Sequence, residues 1–141
     1  MSESRILIAV SSPWASQKFM EPIIDLSRRL DAEAIVAHVA HPQGEDEDEA
    51  DARQRGEETL KFLTDGLRDA EIRAEAIMLF SDDIPKAILN TAKARDCTLI
   101  VLGLTSKTMW QRLLEGNVPA NIIRQSDLPV LLCPANWSGA V

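Results

Sequence analysis

Four groups of residues have types and spacings that could support chemistry. Ser11 and Ser12 follow the apolar run Ile6–Val10, where an α/β protein can expose a nucleophile. No Gly-x-Ser-x-Gly surrounds them, and neither His38 nor His41 lies near a connection that would meet them, so a serine hydrolase is not expected. His38-x2-His41 offers two imidazoles with no third ligand in spacing. A protein zinc site needs three or four ligands, so a strand-end histidine with a local hydrogen bond is the expectation. The acidic run at 45–58 lacks the central glycine and ordered oxygen spacing of a calcium loop. The fourth group is the connection Gly103–Glu115, 13 residues long, which ends at Gly116-Asn117. Strand-to-helix loops usually run about 2–6 residues, so a loop of this length has a task or a short helix of its own. Backbone N–H groups where it enters the next helix would suit an anion, and Lys107 and Arg112 could neutralise phosphate charge. Trp14 and Trp110 belong to the two connections that would flank the cleft. Either indole could stack on a planar ring or simply bury its loop against helix ends.

Charge narrows the partners. The net charge is −7, and residues 45–58, with eight acids against Arg53 and Arg55, carry −6 of it. The acidity is local and reads as a solvated loop running into a helix. A nucleic-acid face would need clustered Lys and Arg, so none is expected. Cys97 and Cys133 sit in no metal-like or CxxC spacing. The strand reading puts them at opposite ends of a parallel sheet, too far apart for a disulfide, so both are expected to be buried thiols in a reducing compartment. No window approaches the run of about 18 apolar residues of a membrane span, and Met1–Arg5 leads directly into a strand-like run. No membrane insertion and a cytoplasmic location are expected.

The elements that must position these residues follow from periodicity. Ile6–Val10, Ala34–Val39, Ile72–Leu79, Leu99–Leu102 and Val130–Leu132 are near-continuous apolar runs, the pattern of strands covered on both faces. Between them, apolar residues recur at three- and four-residue steps. Phe19, Met20, Ile23, Ile24, Leu26 and Leu30 mark one helix, and Leu60, Leu63 and Leu67 a second. Ile84, Ala87, Ile88, Thr91 and Ala92 mark a third, with Asp82 or Asp83 as N-cap and Pro85 in its first turn. Val118, Ile122 and Ile123 mark a fourth, with Pro119 in its first turn. The alternation predicts one α/β domain over residues 1–141, a parallel sheet with helices on both faces. In such a sheet ligands bind beyond the carboxyl ends of the strands, where strand order reverses.

Over essentially its whole length the chain resembles the universal stress protein family. The residues that carry the likeness are Ile6–Val10, Ile100–Gly103, Gly116-Asn117-Val118 and Ser126–Leu132. The resemblance implies a five-stranded sheet in the order 3-2-1-4-5, an adenine-nucleotide alpha hydrolase-like fold, with the loops after strands one and four meeting at the switch point. ATP-binding members carry G-x2-G-x9-G-[ST] there. This chain reads Gly103-x2-Ser106-x9-Gly116-Asn117. The middle glycine is Ser106, whose Cβ would cost about 1–2 kcal/mol in a left-handed conformation. Asn117 replaces the hydroxyl residue, and Ser11-Ser12 stand where those members place an acid. Losing that carboxylate removes a charge-assisted bond worth about 1.5–3 kcal/mol.

Two readings follow. In the first, the chain is a non-catalytic stress-response or regulatory protein acting through dimerisation and an unidentified partner, with weak ATP binding or none. The resemblance implies a homodimer through strand five, Val130, Leu131 and Leu132, an edge bounded by Pro129 and Pro134. In the second, it senses an adenine nucleotide, ATP or AMP. Gly103, Ser106, Gly116 and Asn117 would hold phosphates, while Ser11 and strand-two backbone near Val39 would hold the nucleoside. An ATP-using enzyme is disfavoured, because neither switch-point loop offers a general base or a metal carboxylate. Asp82 and Asp83 read as helix caps.

Overall fold

The structure is a computed structural model, and it describes residues 3–11, 13–40, 48–104, 118–134 and 136–141. Its elements alternate: β1 (Arg5–Ala9), α1 (Pro13–Leu30), β2 (Glu33–Ala40), α2 (Glu49–Asp69), β3 (Ala74–Phe80), α3 (Ile84–Ala94), β4 (Leu99–Leu104), α4 (Val118–Gln125) and β5 (Val130–Pro134). The five strands form one sheet in the order β3-β2-β1-β4-β5, and every neighbouring pair is parallel. This is the expected architecture, and the strand order reverses between β1 and β4.

Both faces are covered. Ile6, Ile8, Val36 and Val101 point to the side closed by Phe19, Ile23 and Leu26 of α1 and Leu60, Leu63 and Leu67 of α2. Leu7, Ile35, Ala37, Ile100 and Leu102 point to the other side, under Ile88 and Ala92 of α3 and Ile122 of α4. Leu63 and Leu67, one helical turn apart, are wholly buried, and each stabilises the fold by about 1.5–3 kcal/mol through removal from water. Two-sided burial explains why these strands lack polar alternation.

Local chemistry sets the helix starts. Proline lacks an N–H that would otherwise go unpaired in a first turn, and α1 opens on Pro13. Trp14 therefore belongs to a helix and not to the loop assigned to it from the sequence. The acidic run is largely helical: the Asp48 side chain accepts from the Asp51 N–H at 2.8 Å, and Glu49 and Asp51 complement the helix dipole in the first turn of α2. Asp83 caps α3 by accepting from the Lys86 N–H at 3.1 Å.

The helix ends share one device. Asp31, Glu71 and Asp96 have φ of 50°, 64° and 54°, each just beyond the end of α1, α2 or α3. The next residue's N–H returns to a helix carbonyl in every case: Ala32 to Ser27 at 2.9 Å, Ile72 to Leu67 at 3.0 Å and Cys97 to Ala92 at 2.9 Å. These are Schellman turns with an acid in the position that usually favours glycine. Ile72 is thus the buried anchor of a turn, and β3 begins at Ala74 and not at Ile72 as its apolar character predicts.

Charged side chains tie the amino ends of the strands together, opposite the switch-point end. Arg5 pairs with Glu33 at 3.0 Å and donates to the Arg95 carbonyl at 2.7 Å, while Arg95 meets Glu75 at 2.6 Å. These pairs are exposed or half-exposed, so each contributes at most about 1 kcal/mol. Cys97 and Cys133 lie at opposite ends of the sheet, buried and unpaired. Burial pushes their thiols up to about 11 and about 12. No helix among the described residues is long and apolar enough to cross a membrane.

Candidate functional site

The register brings three of the expected site residues, Ser11, Val39 and Gly103, to one end of the sheet. Ala9 of β1 is level with Ala37 of β2 and Leu102 of β4. Val39 therefore lies two residues further toward the carboxyl end, Gly103 one residue further, and Ser11 just beyond β1. Ser11 is exposed, while Val39 and Gly103 are partly buried. Val39 faces the α3 side and Gly103 the α1 side, so β2 can offer a ligand its backbone at this rim. Ser106, Gly116 and Asn117 lie outside the described residues, as do Ser12, His41, Lys107, Trp110 and Arg112.

Gly103 is a strand residue, paired with Cys133, and not the first residue of a loop. A Cβ on it would meet the Phe19 ring at 2.5 Å. The close approach of α1 to β4 thus requires glycine here on packing grounds alone. Beneath the rim, Val10, Ser11, Phe19, Gly103 and Cys133 help to line a cavity of about 20 Å³. That is room for about one water, whereas ligand pockets run to about 300–1,000 Å³.

His38 occupies the same end of β2 and makes the expected local hydrogen bond: its Nδ1 lies 2.8 Å from the Val10 carbonyl oxygen. A carbonyl only accepts, so Nδ1 carries the proton and the neutral ring leaves Nε2 as an acceptor. Burial holds the His38 pKa below its ordinary value, the Val10 bond opposes that shift, and the Arg55 charge adds to it. Val10 also donates its own N–H to the Ala37 carbonyl at 3.0 Å. The exit of β1, from which Ser11 projects, is therefore held at two points by β2. The sequence showed a strand-end histidine but not that it supports the loop where Ser11 stands.

Asp83 has its side chain committed to the start of α3, as expected of a cap. Among the described residues, the exit of β1 carries Ser11.

The family model described as “Universal stress protein family” matches residues 3–134. The chain belongs to the universal stress protein family. Among solved universal stress proteins, one from Archaeoglobus fulgidus in complex with dAMP superposes with a TM-score of 0.69 at 21% identity, covering 94% of this chain and 98% of that one. A second, in complex with cAMP, superposes with a TM-score of 0.71 at 18% identity, covering 96% and 100%. At these identities the likeness is one of fold. A curated relative, the sensor protein KdpD of Mycobacterium tuberculosis, is 24% identical over 137 residues. That match takes in 95% of this universal stress protein domain, which spans 15% of the length of KdpD.

Proposed function

We propose that this universal stress protein is a non-catalytic regulatory domain that works through its β5 edge, first by pairing with a second copy and then by presenting that pair to a partner. The observation that carries this reading is the outer side of β5, which pairs with no strand among the described residues. The Pro129 carbonyl accepts from the Ile100 N–H at 3.0 Å, so residues 129, 131 and 133 direct their backbone groups to β4. Val130 and Leu132 direct theirs outward. Val130, Leu131 and Leu132 are each only partly buried, so pairing would also cover apolar surface. Pro129 and Pro134 bracket the edge and limit pairing to a short ladder, as natural edge strands require. A reducing, cytoplasmic setting suits the two buried unpaired thiols. Sedimentation velocity at tens of micromolar tests the pairing: a dimer is expected, and a monomer alone would remove the reading.

A second reading, an adenine-nucleotide sensor, is supported by the solved family members that carry dAMP and cAMP. Ser11 and the strand-two backbone near Val39 would hold the nucleoside, with Gly103, Ser106, Gly116 and Asn117 as the phosphate contacts. Heat-denaturing the purified protein and analysing the supernatant tests it. Stoichiometric AMP or ATP would establish this reading, and an empty supernatant with no response of melting temperature to millimolar AMP or Mg-ATP would end it.

A further inference from the structure

His38 is only 3% exposed, and its Nε2 has no hydrogen-bond partner among the described residues. The ring is clamped. A Cβ on Gly56 of α2 would come 2.7 Å from His38 Cδ2 and 2.8 Å from Met78 Cε, so the helix backbone lies directly on the imidazole with β3 beside it. Glycine inside an exposed helix costs roughly 1 kcal/mol against alanine, and here the close approach to the ring requires it. On the other side the ring holds the Val10 carbonyl at the exit of β1.

The elements packed against the ring present one charge to it among the described residues, Arg55 of α2. β1 presents the Val10 carbonyl and β3 the Met78 thioether. A second proton would create an Nε2–H with no acceptor among the described residues and a positive charge near a guanidinium. That state can be relieved only if the ring reaches water. To do so it must part from Gly56 and Met78 and release Val10.

We propose that His38 is a proton-sensitive latch between the exit of β1 and α2, closed when the ring is neutral and opened by acid. Opening frees the rim at Ser11 and loosens α2 around Gly56, and it does so whether or not the cleft takes a nucleotide. The direction follows from burial. A folded pKa below the ordinary 6.5 means that the latch is fully effective above pH 6.5. Its contribution is lost as the pH falls from 6.5 through the folded value.

The test joins ring titration with amide exchange. In His41→Asn protein the remaining imidazole is that of His38, and NMR should find it neutral with the proton on Nδ1 at pH 7, titrating below 6.5. Opening of residues 8–11 and 52–60, corrected for intrinsic exchange, should rise with that titration by up to about tenfold per pH unit. Residues 99–102 should not follow. His38→Asn keeps an N–H donor for Val10 without a titrating group, and should flatten the rise. A ring that titrates at or above 6.5, or local opening that does not follow the ring, would overturn the latch. So would an acid response in His38→Asn equal to that of the parent. If His38→Asn does not fold, the ring titration and the contrast between residues 52–60 and 99–102 decide the matter.

Discussion

The Phe19 ring stands against the α-carbon of Gly103 so closely that a β-carbon there would lie 2.5 Å from it. This contact gives Gly103 a packing purpose that no nucleotide supplies. Gly103→Ala should destabilise the domain by about 1–3 kcal/mol, the usual range for an overpacked core. Phe19→Leu, which vacates the ring, should recover part of that loss. Urea unfolding of the two single variants and the double variant measures the coupling, and strictly additive effects would contradict the contact.

The three Schellman turns predict stabilisation by a small change. An acid in the left-handed region carries a steric cost, and its charge opposes the negative end of a helix dipole. Glu71→Gly should raise stability by about 0.5–1 kcal/mol, read as a higher melting temperature. Asp31→Gly and Asp96→Gly should do the same, roughly additively, because the turns are separate. A fall in melting temperature at all three would count against the assigned backbone.

The thiols should be inert while the domain is folded. With their pKa values pushed up to about 11 and about 12, Cys97 and Cys133 carry little thiolate at pH 8. A thiol reagent should label neither in native protein and both in urea. Rapid labelling of native Cys97 would show that its turn opens freely.

Ser11→Asp tests what the cleft lacks. A carboxylate at the exit of β1 should tighten nucleotide binding by about 10–100-fold, the worth of one charge-assisted bond to a ribose hydroxyl. Calorimetric titration with AMP and with Mg-ATP measures this. If Ser11→Asp binds no better than the parent, the rim does not hold a ribose.

The alternation of elements was legible because five apolar runs and four helical stripes do not overlap. The places where the reading slipped have specific causes. Ile72 is apolar and adjoins strand residues, yet it serves as the buried anchor of a turn whose left-handed residue is Glu71 and not a glycine that would have marked it. The start of α1 at Pro13 was hidden because the stripe ahead of Phe19 is carried only by the small Ala15. At the site, spacing made Gly103 the first residue of the connection, whereas it lies within β4 near its carboxyl end. Spacing could not show that Phe19, 84 residues earlier in the chain, comes to rest on it. The role of His38 depends on the carbonyl of Val10 and the backbone of Gly56, and neither has a sequence signal.

The β5 edge carries the proposed pairing, and its backbone directions offer a selective test. Leu132 points its N–H away from β4, so Leu132→Pro removes an outward donor and leaves the ladder to β4 intact, as prolines on edge strands do. Sedimentation velocity of parent and variant, with circular dichroism as a check on folding, should show a dimer for the parent and a folded monomer for Leu132→Pro. A monomeric parent, or a variant that stays dimeric, would contradict the account.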